Sequence, residues 1–344
     1  SHNDHTMDMN MGGSMTQVLP IEDSSQIGHA RRTAQQLAEK HGFDATDAGR
    51  VALVTTELAS NILKHATRGE LHLRVLPRAS GAGIEILAVD RAQGFDLHAC
   101  LTDGFSTGGT QGIGLGAVSR QAEVFDVYAD ARGAVLLTRL YPRSDKAPDR
   151  RIGISQHALH HDPACGDVWH LAFDGPRISA LVIDGLGHGE EAERAARAGE
   201  RVFALSPFAS PLLLLEDIHH AMIGTRGGAL AIAQFDGNGN ALRFVGIGNI
   251  GGSLIAPDKS RGLASHPGIV GGQYRKAQPF DYAQVNGQLL ILYSDGLQSR
   301  WNLQDYPGLV HRHPAVIAAI LHRDFCRGRD DVTVLVIALE ATHG

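Results

Sequence analysis

The stretch Ile178-Ser-Ala-Leu-Val-Ile-Asp-Gly-Leu-Gly-His-Gly189 decides the fold. Its apolar, partly β-branched run reads as a buried strand, and Asp184-Gly185 ends that strand with a carboxylate held at its rim. Three more acidic stretches repeat the arrangement: Cys165-Gly166-Asp167, Ser294-Asp295-Gly296 and Arg329-Asp330-Asp331-Val332-Thr333. Asp-Gly alone is a common turn. Here, however, Asp295 follows the apolar Leu290–Tyr293 run, and Asp167 and Asp330 stand at the start of others. Four carboxylates from distant sequence are therefore expected on one edge of a sheet.

Such a cluster of oxygen ligands favours hard divalent ions, Mg²⁺ or Mn²⁺, over zinc. Two such ions about 4 Å apart share a water, lower its pKa and clamp a departing oxygen, which is the chemistry of phosphoester hydrolysis. Asp184 and Asp295 are the expected catalytic carboxylates. Asp330 and Asp331 are adjacent, so an extended chain points them to opposite sides; the register favours Asp330 as the direct ligand, with Asp331 kept in the candidate set. His188 is placed to give a proton to a leaving oxygen, although an exposed loop histidine is the plainer reading. The pairs His160-His161 and His219-His220 read as surface residues.

Strand-like runs dominate the second half of the chain, at residues 152–157, 167–173, 178–184, 229–235, 242–246, 254–256, 288–293 and 332–339. Helices are expected over 190–205, 211–224 and 313–325, and Asp236-Gly-Asn-Gly-Asn240 is a hairpin signal. The first half mixes helices over Ser24–Lys40, with Ser24 as N-cap, and 47–66 with strands at 71–76 and 84–90. A short helix at 113–121 and strands at 124–129 and 135–140 follow. The class is α/β (α+β). The polar stretch Tyr141–Arg150 carries two prolines, and residues 143–151 are the expected linker between a domain at 16–142 and one at 152–340.

On the second helix Glu57, Asn61, Lys64 and His65 form one polar stripe, while Val51, Val54, Leu58 and Ile62 face the sheet. Alone, that stripe is an ordinary solvated face. It gains meaning beside Gly108-Gly-Thr-Gln-Gly-Ile-Gly-Leu-Gly116, whose glycines allow close backbone approach and lead to a helix start that attracts phosphate. Asp90 ends a strand just before Gly94.

Over residues 16–141 these motifs resemble the Bergerat-type ATP-binding fold of the histidine kinases and gyrases, and within it the anti-sigma serine kinases of the RsbW and RsbT type. The resemblance implies ATP with Mg²⁺, held through Asn61, with Glu57 as general base and Asp90 taking the adenine amino group. Lys64, His65, Gly94, Gly109, Thr110, Gly112, Gly114, Leu115 and Gly116 would complete the nucleotide site. One departure is Ala92, where the family carries glycine; a left-handed backbone there would cost alanine about 1 kcal/mol.

Residues 152–340 resemble the metal-dependent serine/threonine phosphatases of the SpoIIE, RsbU and RsbX branch. By that resemblance Asp167 and Asp184 hold the bridging region, Gly185 lends a backbone carbonyl, and Asp295 and Asp330 complete a two-ion Mn²⁺ or Mg²⁺ site. Gly246-Ile-Gly-Asn-Ile250 is similar to a turn of the same branch. The fusion implies partner switching: a serine or threonine on a STAS-domain anti-sigma antagonist, or a stressosome-type protein, is phosphorylated and dephosphorylated. The alternative keeps the phosphatase alone, with the first domain an ATP-sensing or STAS-docking module.

The remaining numbers narrow the classes. With 344 residues and 43% hydrophobic content the chain can fill two cores. A net charge of −6 and the lack of a basic run interleaved with aromatics argue against nucleic acid. The longest apolar run, Pro211–Leu215, is too short for a membrane span. Cys100, Cys165 and Cys326 suggest neither disulfides nor thiolate zinc, so a reducing cytoplasm is expected. Residues 1–15, with His2 and His5, read as a tag or disordered tail. A homodimer is compatible with all of this.

Overall fold

The computed structural model describes residues 9–92 and 110–340, with the side chains of 110–114 outside the description. His2, His5, Gly94, Cys100 and Gly109 therefore lie outside the described residues. The chain divides into two units, one spanning Thr16–Asp149 and the other built from the residues before and after it.

In the Thr16–Asp149 unit, β2 (Gln17–Ile21), β3 (Gly69–Arg78), β4 (Gly81–Val89), β6 (Gly133–Leu140) and β5 (Val124–Asp130) form one antiparallel sheet in the order β2-β3-β4-β6-β5. Helices α1 (Ser25–Lys40), α2 (Ala45–His65) and α3 (Thr110–Gln121) share a single core with it. Ala30, Ala34 and Ala38 form the buried stripe of α1, and Val51, Val54, Leu58 and Ile62 that of α2. Asp44 caps α2 by accepting from the Asp47 amide at 2.8 Å. Ser24 does not cap α1: it is already helical, and Asp23 Oδ1 accepts from the Ser25 amide instead.

The expected linker is largely part of this unit. Arg78 donates to both oxygens of Asp145 and to the carbonyl of Pro148, while buried Arg139 pairs with Asp149 at 3.0 Å and with Glu85 at 2.8 Å. These charge-assisted bonds tie down a stretch whose composition alone reads as loop. The seam falls between Asp149 and Arg150.

The other unit is a two-sheet sandwich. Its six-stranded sheet runs β1 (Met9–Gly12), β8 (Asp167–Asp174), β9 (Arg177–Gly185), β10 (Gly228–Asp236), β11 (Ala241–Ile247), β14 (Phe280–Ala283). The five-stranded sheet runs β13 (Lys259–Gly262), β12 (Ile250–Ala256), β15 (Leu289–Ser294), β16 (Val332–Ala338), β7 (Ile152–His157). Period-two alternation sorts the side chains. Trp169, Leu171, Ala180 and Val182 meet Leu290, Leu292, Leu335 and Ile337 between the sheets, whereas Val168, Leu181 and Ile183 face α4 (Gly189–Leu205) and α5 (Pro211–Met222). Helix α6 (Pro314–Phe325) packs on β7 and β16.

The tail expected over residues 1–15 is corrected at its inner end. Met9 to Gly12 pair with Phe173 to His170 as the edge strand β1, and Met9 and Met11 are buried in the sandwich core. Gly13 adds an amide bond to Trp169, whose indole donates to Ser14. Among the described residues no helix is long and apolar enough to cross a membrane.

Candidate functional site

The same alternation that fills the sandwich builds its acidic end. Asp184 continues the Ala180, Val182 row and Asp167 the Trp169, Leu171 row, and the register sets the two directly opposite each other. Ser294 continues the Leu290, Leu292 row of the facing sheet, Thr333 the Leu335, Ile337 row, and Gln156 the Ile152, Ile154 row. At this end the layer between the sheets turns from apolar to polar. Ser294 Oγ and Thr333 Oγ1 donate to Asp167 Oδ2 at 2.6 and 2.8 Å, and Gln156 Nε2 donates to Thr333 Oγ1 and to the Asp167 carbonyl.

Asp184 Oδ2 accepts from the amide of Asp295 at 3.2 Å, which brings that residue to the rim. Asp184, Gly185, Asp295, Asp330 and Asn249 line one cleft of about 490 Å³. Gly185 is required by close packing. A Cβ there would lie 2.3 Å from the Ala192 carbonyl, and its amide donates to the Gly166 carbonyl at 2.8 Å. His188 is exposed at the start of α4, near enough for its charge to lower the pKa of Asp330.

The carboxylates raise one another. Burial pushes Asp167 up to about 7, against the opposing pull of Ser294 and Thr333 and with help from the Asp331 charge. Burial also lifts Asp184 well above the usual carboxylate range, with the charges of Asp167 and Asp330 adding to it. Asp330 is raised by burial as well. Asp167 Oδ1 is buried without a hydrogen-bond partner, an arrangement that costs stability unless a cation or proton meets it. This all-oxygen, electron-rich donor set fits a hard divalent ion. Among the described residues no three His, Cys, Asp or Glu side chains close around a single point, so the carboxylates form an open rim.

Asp331 is corrected as a metal candidate. It is 1% exposed, and its two oxygens each accept a backbone amide at 2.7 Å, from Leu159 and from Gly166. It clamps the loop that delivers Asp167. Ser294, Thr333 and Gln156 had no role assigned from sequence; a polar residue at an inward position of an apolar strand was the available signal.

In the Thr16–Asp149 unit, Asn61, His65, Asp90 and Ala92 line a second, narrow cleft with Leu58 and Gly133. Asp90 Oδ1 accepts from the amides of Ala92 and Ala134 at 2.9 and 3.2 Å, which fixes the carboxylate at the strand end. A Cβ at Gly133 would lie 2.1 Å from the Asp90 carbonyl, so the backbone must pass there bare. Burial and the Lys64 charge lower the pKa of His65. The convergence of an amide, a carboxylate and an imidazole fits a nucleotide with its cation.

Several expectations change here. Lys64 is exposed and does not line the cleft, and Glu57 is half-buried and also absent from its lining. Thr110, Gly112, Gly114 and Gly116 lie within helix α3, which starts three residues earlier than expected, and Leu115 is a core residue. Ala92 is not in the left-handed region, so the anticipated strain does not arise.

Residues 21–139 match the family model of the histidine kinase-like ATPase domain. The serine/threonine-protein kinase RsbT of Bacillus subtilis (strain 168) is 32% identical over 99 residues, covering 28% of this chain and 74% of RsbT. Among solved structures, one described as "The bacterial stressosome: a modular system that has been adapted to control secondary messenger signaling" aligns at TM-score 0.51 and 25% identity, over 54% of this chain and 97% of that one. RsbX in complex with magnesium aligns at TM-score 0.49 and 20% identity, over 53% of this chain and 92% of that one. With an ATPase-type domain at 21–139 and three quarters of RsbT aligned, the chain belongs to the RsbT family of serine/threonine-protein kinases.

Proposed function

We propose that the chain is a bifunctional partner-switching regulator. One unit transfers phosphoryl from ATP to a serine or threonine of a STAS-domain partner, and the other hydrolyses that phosphoester with Mn²⁺ or Mg²⁺. The observation that carries the hydrolytic reading is the facing pair Asp167 and Asp184, in which Asp167 Oδ1 is buried without a hydrogen-bond partner and Asp184 lines the acidic cleft with Asp295 and Asp330. Asp167, Asp184, the Gly185 carbonyl, Asp295 and Asp330 would hold the cations, which supply an activated water and charge neutralisation when bound. Hydrolysis breaks the phosphorus–oxygen bond to the serine, and the serine oxygen leaves with a proton. Ser294 and Thr333 keep Asp167 oriented, and Asp331 keeps the loop that carries it in place.

On the kinase side Asn61 would hold Mg²⁺ against the phosphates, Asp90 would receive the adenine, and Glu57 would take the proton of the partner hydroxyl. The cytoplasm, where ATP and a STAS partner meet, is the proposed location. A second reading makes this unit an ATP-sensing or docking module; among the described residues Glu57 does not line the cleft that holds Asn61 and Asp90.

The test uses two variants with a STAS partner and labelled ATP. Asp184→Asn should accumulate phosphorylated partner, and adding Glu57→Ala should prevent it while nucleotide binding persists. Phosphopartner that fails to appear in Asp184→Asn selects the second reading. Hydrolysis of p-nitrophenyl phosphate that is insensitive to EDTA, or equal in wild type and Asp184→Asn, removes the phosphatase assignment.

A further inference from the structure

The acidic cleft has a neighbour that the chemistry above does not use. A groove of about 1080 Å³ runs beside it, and His266, Pro267 and Gly268 line both. The segment between β13 and β14 is thus a partition. Its first part faces the carboxylates, and its second part, Gly272 to Ala277, faces α5 across the groove.

The partition is fixed rather than loose. The Gly271 amide donates to His219 Nδ1 of α5 at 2.9 Å, the His219 ring meets Tyr274 edge-on at 5.0 Å, and Val270 exchanges two backbone bonds with Gly228. The groove therefore keeps a constant position relative to the cleft.

Its lining is unlike that of the cleft. Arg275 and Lys276 are exposed on the partition, and among the described residues neither has an acidic partner. Across from them Leu212 presents an apolar surface 45% exposed, and Glu216 is the carboxylate in the lining. Two cations without an acidic partner among the described residues stand beside an apolar helix face, next to a cleft lined by the three carboxylates Asp184, Asp295 and Asp330, and make a surface with a defined charge order. An anion entering through the cleft has its continuation drawn toward the groove.

We infer that this groove is the docking surface for the polypeptide flanking the phosphorylated residue, and that it selects an acidic flank carrying an apolar side chain. The inference rests on the phosphatase reading and deepens it by naming a substrate preference. Arg275 and Lys276 give the charge selection and Leu212 takes the apolar side chain. Neither cation belongs to the hydrolytic machinery.

The full-length chain is tested with three fluorescein-labelled phosphoserine peptides of about 12 residues, with acidic, neutral or basic flanks and one leucine each. Anisotropy reports binding, and phosphate release in Mn²⁺ reports turnover. The acidic peptide should bind at least ~10-fold more tightly than the basic one at low ionic strength, with the preference shrinking as salt rises. Arg275→Glu with Lys276→Glu should invert the order, while hydrolysis of p-nitrophenyl phosphate stays at the wild-type rate and certifies the fold. Arg275→Gln with Lys276→Gln should abolish the preference without inverting it. Equal binding of acidic and basic peptides, or an order unchanged by reversal, overturns the groove assignment. Loss of p-nitrophenyl phosphate hydrolysis in the wild type would sink the phosphatase reading instead, and binding would still judge the groove. Displacement of the acidic peptide by a DNA duplex at equal phosphate charge would show general polyanion capture and overturn the inference.

Discussion

The hydroxyl of Ser294 reaches across the sandwich and donates to Oδ2 of Asp167 at 2.6 Å. The Thr333 amide in turn donates to that hydroxyl at 2.9 Å, so a single serine links β15, β16 and β8 at the acidic end. Ser294→Ala leaves a buried carboxylate with one side-chain donor fewer. The expected result is a loss of about 1–3 kcal/mol in urea unfolding, together with reduced Mn²⁺-dependent hydrolysis. A variant with wild-type stability and turnover would show that the bond does not position Asp167.

Asp167 also sets a pH dependence. Its folded pKa of about 7 lies above the ordinary value of 3.8, so the folded state binds more protons between those values. Stability supplied by the protonated form is full below pH 4 and is lost as pH rises through 7. Metal-free protein should therefore melt at a lower temperature at pH 7.5 than at pH 5 in the transition of the sandwich unit. Asp167→Asn should remove part of that drop, about 2–4 °C per kcal/mol recovered. Calorimetry in EDTA measures both, and an identical drop in the variant would contradict the assignment.

Adjacent Asp330 and Asp331 should separate cleanly. Asp330→Asn should raise the Mn²⁺ concentration for half-maximal activity at least ~10-fold with little change in stability. Asp331→Asn should lower stability by about 2 kcal/mol, since it weakens a clamp on two amides. Metal titration and urea unfolding of the two variants decide it. The reverse pattern would exchange their roles.

For the nucleotide cleft, Ala92→Gly should leave ATP affinity within about twofold, because Ala92 is not held in a backbone conformation that needs glycine. Asn61→Ala should remove the Mg²⁺ dependence of binding. Calorimetric titration of the full chain reads both. A large gain in affinity from Ala92→Gly would mean that the alanine does obstruct the site.

The rim carboxylates were legible because Asp184, Asp295 and Asp330 each adjoin an apolar run whose period is plain, and a strand's end is a fixed point in space. The buried stripe of α2 was legible for the same reason at helical period. Asp331 was not, since its two acceptor bonds go to a loop 165 and 172 residues away in sequence. Nor was β1: Met9-Asn-Met-Gly12 offers only two methionines inside a polar, low-complexity stretch, and its strand character comes from the β8 edge that it pairs with. The helical start at Thr110 was hidden by glycines, which have poor intrinsic helix propensity.

Because β1 precedes Thr16 and β7 follows Asp149, the ATPase-type unit is spliced into the sandwich unit rather than appended to it, and both of its ends return to the same host. One proteolytic cut after Asp149 would leave the two pieces joined by a four-residue ladder and two buried methionines. They should migrate together on a sizing column in native buffer and part only in denaturant. Loss or gain of a domain through a single break at that seam is consequently not available to this chain; excising the kinase-like unit intact takes two breaks.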